Sequence, residues 1–384
     1  RPTVLTRIAR FATRRPIVIL IIAASLIGLS ALPFLRVKFT TFDFHALPDG
    51  SSSRIVAEAL TNNFNVQTAP ITVLYTTPQP LSTARSVAEI QGLTQQLLAL
   101  ETVDSAATPT PIAVPLKQLQ AAYVSDIVPT ELALLQQQTV IDDTVLLTIY
   151  PTHNPTDQRT QDLIVAIRGL STENNSSLQV GGMAAIFYDT MRSTAHYLPY
   201  SLGIIVISMF ILLTLMLRSI VIPLQAILIN SLALLVAFGV LVLIFQDGYL
   251  TEGWLSYTGG LDVTIPILIF AVAFGLSMDY AAFLYSRMRE IYDKTGDPHQ
   301  AIIEGVHHTG PIITAAAGAL FIVVIAFASS KIAMLQQVGI GLAVAVLVDA
   351  FLVRLFLVPA VMQLFGHTSW YAPKWIRRWQ IRHD

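Results

Sequence analysis

Cysteine is absent from the 384 residues, which excludes a disulfide framework and thiolate chemistry. Charge is scarce as well, because only 12% of residues are Asp, Glu, Lys or Arg, against roughly a quarter in soluble proteins. The net charge of -1 leaves no basic surface to neutralise phosphates, which argues against nucleic acid as a partner. With 54% hydrophobic residues and a mean hydropathy of +0.62, the composition indicates a polytopic membrane protein.

Motifs for cofactors are also missing from the sequence. No Gly-rich phosphate loop is present, so nothing indicates ATP binding. His307 and His308 are adjacent and lack the spacing of metal ligands. The sequence therefore predicts neither a cofactor nor a metal site.

Six apolar runs are long enough to cross a bilayer, which takes about 20 helical residues. The last is too long for one straight span, and Pro359 is the expected bending point. The six predicted spans are Pro16–Leu35, Leu198–Leu217, Val221–Phe245, Val263–Ser286, Pro311–Ser329 and Gln337–Phe365.

Lysine and arginine cluster before the first run, after the fourth and after the sixth. By the positive-inside rule, all three clusters face the cytoplasm, so both termini are expected there, in the cell membrane. The aromatic and basic tail, "SWYAPKWIRRWQIR", is typical of an interfacial segment. Because the chain begins with Arg1, we expect it to be part of a longer polypeptide.

The polar stretch between the first two runs is long enough to be an extracytoplasmic domain. Strand-like and helix-like segments alternate in it, which favours an α+β, ferredoxin-like fold. A helix from Ala184 is expected to continue into the second span and to transmit motion. The predicted organisation is an N-terminal segment with the first span (1–36), the inserted domain (37–196), spans two to six (197–366) and a cytoplasmic tail (367–384).

The fourth run contains a carboxylate, Asp279. At 1.5 Å per residue it lies about 25 Å from Asp262 and about 12 Å from Arg287, deep in the apolar stretch. A carboxylate in hydrocarbon costs about 2.5–3.5 kcal/mol on insertion scales. Small residues share its helical stripe, so we expect a neighbouring helix to pack there and Asp279 to face the bundle interior. The stripe consists of Ala271, Gly275, Asp279, Ala282 and Ser286.

The sixth run repeats this arrangement with Gly341, Ala345 and Asp349, which step by four onto one face. Arg354 follows Asp349 by five residues, a rotation of about 140° on an α-helix. We therefore expect the two not to pair, and Arg354 to reach another helix or the interface. Six residues are expected to form the helix packing around these charges: Gly275, Ser277, Thr314, Gly318, Gly341 and Ala345.

Two interpretations of these polar residues compete. The aspartates can be hydrogen-bonded anchors, Arg354 an interface anchor and Tyr280 a packing aromatic. Within a membrane, however, ionisable groups usually mark ion or substrate paths, which favours function. Burial disfavours the charged form of a carboxyl group, so such a group can take up and release protons. This reasoning makes Asp279 and Asp349 candidates for a proton relay, and on the residues alone it leaves the roles of Tyr280 and Arg354 open.

The motif "FGLSMDYAAFLYSRMRE" resembles the fourth span of the MMPL family (mycobacterial membrane protein large), within the resistance-nodulation-division superfamily. The segments "GPIITAAAGA", "LVDAFLVRLFLVPAVMQLFG" and "ALPDGSSSR" and the order of spans also fit. The resemblance covers essentially the whole chain and is weakest in the external domain. The chain resembles the second of the two six-helix units in such proteins.

The resemblance implies export of lipids or other hydrophobic molecules, driven by the proton-motive force. It assigns the Asp–Tyr pair of the relay to Asp279 and Tyr280, and favours roles for Asp349 and Arg354. The implied partners are the lipid cargo, protons, the bilayer and a second six-helix half, in the same polypeptide or as a dimer.

Two other functions are compatible with parts of this pattern. A sterol-sensing or receptor-like membrane protein would share the fold and use the external domain for binding. An intramembrane aspartyl protease would use two aspartates on separate helices. The latter is disfavoured because neither Asp279 nor Asp349 is preceded by Gly-x-Gly.

Overall fold

The computed structural model describes residues 4–40, 47–48, 50–64, 69–80, 83–111, 113–124, 130–171, 176–251 and 255–371. It divides into two compact units, one formed by Arg1–Arg54 with Leu198–Asp384, the other by Ile55–Tyr197. The second unit begins at Ile55, while the domain bounds that the sequence gives, 37–196, stay a prediction. Most of the predicted interfacial tail, from residue 372 onward, lies outside the described residues.

The described residues are mainly helical. The helices are α1 (Val4–Arg14), α2 (Pro16–Ala31), α3 (Ser52–Phe64), α4 (Ala84–Leu98), α5 (Leu116–Val124), α6 (Thr130–Thr139), α7 (Gln158–Arg168), α8 (Met183–Leu217), α9 (Val221–Leu241), α10 (Thr264–Thr295), α11 (Pro298–Ala328), α12 (Ala333–Leu347) and α13 (Val358–Phe365). The strands are β1 (Phe39–Thr40), β2 (Ile71–Thr76), β3 (Val103–Ala107), β4 (Val140–Ile141), β5 (Thr144–Pro151), β6 (Ser177–Gly181) and β7 (Leu261–Asp262).

Six helical stretches within the described residues are long and apolar enough to span a membrane, as the sequence predicted. The protein is therefore a polytopic α-helical membrane protein with an α+β domain. The fourth and fifth stretches are longer than their apolar runs. The six are Pro16–Arg36, Met183–Leu217, Val221–Gln246, Thr264–Thr295, Pro298–Ala328 and Ala333–Trp370.

The spanning helices share one apolar core. In it α9 packs against α2 and α12, and α11 packs against α10 and α12. Glycines allow the closest approaches, since a Cβ on Gly239 would lie 1.8 Å from the backbone oxygen of Ser30 in α2. The connection between α10 and α11 is a single tight turn. Gly296 ends α10 with a φ of +68°, and Asp297 caps α11 by accepting a hydrogen bond from the His299 N–H at 2.9 Å.

The sixth stretch changes helix type along its length. The α-helical α12 continues into a ten-residue π-helix, Val348–Leu357, and then into α13. Pro359, the expected bending point, stands in the first turn of α13, where its missing N–H is tolerated. The irregularity therefore lies immediately before α13, in the segment that carries Asp349 and Arg354. A shorter π-helical segment, Val242–Gln246, ends the third stretch.

A two-residue parallel ladder joins β1, just after the first span, to β7, just before the fourth. The Leu261 N–H donates to the Lys38 carbonyl at 2.9 Å. Gln246 braces the same place, because its Oε1 accepts from the Lys38 N–H at 2.6 Å and its Nε2 donates to the Arg36 carbonyl at 3.1 Å. We call this arrangement the clasp.

The second unit contains an antiparallel sheet in the order β3-β5-β2-β6, with β4 paired to β5. The elements β2-α4-β3 and β5-α7-β6 form two βαβ units, and the strand order is that of a ferredoxin-like fold. One face of β5 alternates into a core with α4 and α7. The strand-like and helix-like segments predicted for this domain correspond to β2, α4, β5, α7 and β6, whereas α3, α5, α6, β3 and β4 were not predicted.

Candidate functional site

Asp349 and Arg354 form a buried ion pair in the π-helix. The Arg354 Nε and Nη2 atoms donate to one carboxylate oxygen, Oδ2 of Asp349, at 2.9 and 2.8 Å. The two side chains are 12% and 4% exposed. The prediction that these two residues would not pair is therefore wrong.

The π-helix is the reason for the pairing. An α-helix brings residues three and four apart onto one face, and a separation of five points them away from each other. A π-helix bonds each residue to the fifth along, so positions 349 and 354 lie above one another. The composition of Val348–Leu357 gives no sign of this change, which is why spacing on an α-helix failed to predict the pair.

Ser277 of α10 completes the pair from the neighbouring helix. Its hydroxyl donates to the other carboxylate oxygen, Oδ1 of Asp349, at 2.8 Å. Its backbone carbonyl accepts from Arg354 Nη2 at 2.5 Å. Ser277 was predicted only as a packing residue, and the structure places it in direct contact with both charges. The sixth stretch is thus tied to α10 through charge-assisted hydrogen bonds.

Tyr280 lies beside this cluster. Its ring carries the Arg354 guanidinium over its face, with Cζ 5.3 Å from the ring centroid, a cation–π geometry. It also lines a cavity that reaches Asp349 and Arg354. Three of the four predicted relay residues, Tyr280, Asp349 and Arg354, are therefore brought together.

Asp279 is not part of this cluster. It is exposed on α10 and makes no hydrogen bond or ion pair with any residue that the structure describes. The prediction that it faces the interior of this bundle is wrong. The bulky residues of α10, among them Phe274, Met278 and Leu284, fill the core, and their burial turns the small-residue stripe outward.

The predicted packing residues divide in the same way. A Cβ on Gly341 would lie 2.3 Å from the Ile269 side chain, and Ala345 is buried against the ion pair, so both support close packing. Gly275 and Gly318 have nothing within 4 Å of an added Cβ, so no helix of the described chain packs on them. Thr314 donates its hydroxyl to the Gly310 carbonyl within α11, at 2.8 Å.

Two polar residues near the ion pair were not predicted. Tyr285 is almost fully buried, and Asn230 of α9 donates to the Met278 sulfur at 3.5 Å. Both line one cavity with Asp349 and Arg354. Tyr285 follows Ser277 by eight residues, which puts it on the same buried face, so helical periodicity combined with its hydroxyl was a usable signal.

This arrangement bears on the possible chemistry. An aspartyl protease needs two carboxylates that share a proton at close range. Asp349 is bound instead by Arg354 and Ser277, while Asp279 points away from the core. The described site is thus a buried ion pair whose charge balance changes if its carboxylate is neutralised. A second carboxylate, Asp279, lies on the exposed face of α10.

A protein-family model described as the MMPL family matches residues 46–383. A putative membrane protein of Streptomyces coelicolor is 32% identical over 379 residues, which cover 97% of this chain and 47% of that protein. Membrane protein YdfJ of Bacillus subtilis is 38% identical over 232 residues, 60% of this chain and 32% of that protein.

The trehalose monomycolate exporter MmpL3 of Mycobacterium tuberculosis is 37% identical over 231 residues, which are 60% of this chain and 24% of that protein. The chain thus matches half or less of the length of these curated relatives. The part of them that it resembles is their C-terminal half.

Proposed function

Because the chain belongs to the MMPL family, we propose that it forms the C-terminal half of a proton-driven exporter of lipids or other hydrophobic molecules. In this proposal the termini lie in the cytoplasm, and the domain between the first two spans lies outside the cytoplasmic membrane. The lipid class of the cargo is suggested by the exporter MmpL3, whose name gives a glycolipid as its cargo.

The observation that carries the proposal is the exposed Asp279 beside Tyr280. A carboxylate on the lipid-facing side of a span costs about 2.5–3.5 kcal/mol or more. Contact with another protein segment would reduce this cost, so we expect such a segment to cover Asp279. The small residues around it, including Gly275 with open space at its Cβ, would let another helix approach closely. A second six-helix half is the partner that we propose for this face.

Proton coupling would act through the contact between α10 and the sixth stretch. Neutralising Asp279 removes one charge from the outer face of α10. Tyr280 follows it in sequence and carries Arg354 on its ring, so a shift of α10 at this point changes the surroundings of the buried pair. Asp349 and Ser277 then hold the sixth stretch to α10 or release it. These are the roles that we propose for the four relay residues.

The test is proton flux through the whole transporter, with its upstream half, in liposomes under an imposed pH gradient. We expect Asp279→Asn to abolish flux. The matched control is Asp293→Asn, since Asp293 is a carboxylate on the same helix that pairs with Arg289 at 3.0 Å beyond the apolar run. Equal flux in the wild type and Asp279→Asn would overturn proton coupling through this residue.

Cargo is tested in the same vesicles. A fluorescent lipid in the inner leaflet should appear in the outer leaflet only when an inward-directed proton gradient is imposed and Asp279 is intact. If proton flux requires Asp279 but lipid does not move, the coupling would stand and the lipid class would be wrong.

A further inference from the structure

The Arg354 guanidinium is only partly satisfied by its neighbours. Its Nε and Nη2 atoms donate to Asp349 and Ser277, but Nη1 is buried and has no acceptor among the described residues. A buried donor without an acceptor is costly, and more so when it carries charge. We therefore expect the Nη1 nitrogen to have an acceptor that the described residues do not supply.

A second unpartnered group lies nearby. The Tyr285 hydroxyl is buried and has no hydrogen-bond partner among the described residues, and the residue is 1% exposed. Buried tyrosine hydroxyls are normally hydrogen-bonded, because the desolvated O–H is otherwise lost to both water and protein.

Both residues, Tyr285 and Arg354, line a single cavity. Its wall includes Asn230, Ala281, Tyr285, Asp349 and Arg354. The centre of a water molecule has about 10 Å³ in which to move, close to the space that one bound water needs. The wall supplies donors and acceptors from three helical segments, which is the polar setting that holds buried water.

We propose that a water molecule binds in this cavity, accepts a hydrogen bond from Arg354 Nη1 and hydrogen-bonds to the Tyr285 hydroxyl. Asp349 already balances the charge of Arg354, so the ligand is neutral. The cavity has room for about one water molecule. Tyr285 is then a positioning residue, which holds the guanidinium through the water.

The consequence for transport rests on the proposed function. When Asp349 is neutralised, Arg354 loses its anionic partner. Its remaining partners are then the Ser277 carbonyl, the Tyr280 ring and the bound water. The water and Tyr285 keep the guanidinium in place while the carboxylate changes state, so the pair can form again in each cycle.

The sign of a stability change tests the water site without any transport assay. If the Tyr285 hydroxyl is unpartnered, Tyr285→Phe removes an unsatisfied polar group, and the unfolding midpoint stays or rises. If water binds, the variant loses a hydrogen bond, and the midpoint falls by roughly 1–2 °C. An unchanged or raised midpoint would overturn the proposal.

A second variant changes the cavity itself. Ala281→Val adds volume to its wall. With bound water we expect the midpoint to fall, because the water is displaced and Arg354 Nη1 loses its acceptor. A dry cavity would be filled by the added methyl groups, and a higher midpoint would contradict the proposal.

A structure of the whole transporter at a resolution that shows ordered water gives the direct signature. We expect a density peak within hydrogen-bonding distance of both Tyr285 Oη and Arg354 Nη1, and its loss in Tyr285→Phe. Well-resolved side chains with no peak between them, or a direct protein partner for the hydroxyl, would refute the site. Failure of Asp279→Asn to change proton flux would refute the proposed function and leave this water site standing.

Discussion

Arg354 donates two hydrogen bonds to a single oxygen of Asp349, five residues before it, in a helix wound for that separation. The pair is buried, and Ser277 of α10 binds both members. One segment therefore contains both charges and the helical geometry that pairs them. π-Helical turns are rare and are frequent at functional sites.

Removing one member of this pair should destabilise the chain more than removing both. Asp349→Leu leaves the Arg354 charge buried without its counterion, and we expect a loss of about 3–5 kcal/mol in the free energy of unfolding. The double variant Asp349→Leu/Arg354→Met should recover much of that loss. Denaturant unfolding in detergent measures both. A double variant as unstable as the sum of the two single variants would show that the charges do not interact.

The π-helix itself can be tested by moving the arginine one residue back. In the variant Val353→Arg/Arg354→Val the spacing from Asp349 is four, which suits an α-helix and not a π-helix. We expect this variant to be about as unstable as Arg354→Val alone, with unfolding as the measurement. Retained stability would mean that the segment adopts ordinary α-helical spacing.

Asp279 should behave differently from Asp349 in the isolated chain. Because it is exposed and has no described partner, Asp279→Asn should change the free energy of unfolding by less than about 0.5 kcal/mol. Thermal unfolding of the purified chain provides the comparison. A loss of several kcal/mol would show that Asp279 holds the fold of this half by itself.

Two glycines in the spanning helices should respond in opposite ways to alanine. A Cβ on Gly239 would lie 1.8 Å from the Ser30 backbone oxygen, so α2 and α9 would have to separate. Gly318 has open space, and there alanine should stabilise α11 by about 0.5–1 kcal/mol. We expect Gly239→Ala to lower the unfolding midpoint and Gly318→Ala to leave it unchanged or raise it. The reverse order would contradict the packing of α2 on α9.

The inserted domain should lose stability in alkali through Tyr123. Its buried hydroxyl donates to the Pro109 carbonyl at 2.5 Å, and burial raises its pKa from 10.0 to about 12. The stabilisation that comes from this raised pKa in the folded state is fully present below pH 10 and is lost as the pH rises towards 12. Tyr123→Phe should remove this part of the pH dependence. Circular dichroism during denaturation at several pH values measures it, and parallel profiles for the two proteins would contradict the prediction.

The sequence predicted the six spans and the α+β domain between the first two of them because hydropathy and periodicity are local properties. It did not predict the direction of the polar side chains. The direction of Asp279 depends on which side of α10 the other helices fill, and bulky Phe274 and Met278 decided that against the small-residue stripe. The pairing of Arg354 with Asp349 depends on the π-helical winding of Val348–Leu357, and the residue types of this segment do not predict that winding.

The clasp between β1 and β7 has a consequence for biosynthesis. Phe39 leaves the ribosome roughly 220 residues before its partner Leu261, a delay of about 10–45 s at 5–20 residues per second. During that interval the whole second unit and the second and third spans are translated, so α2 and α9 can pack before β1 meets β7. The clasp therefore forms late in synthesis, when the fourth span begins and the first three spans have already been translated.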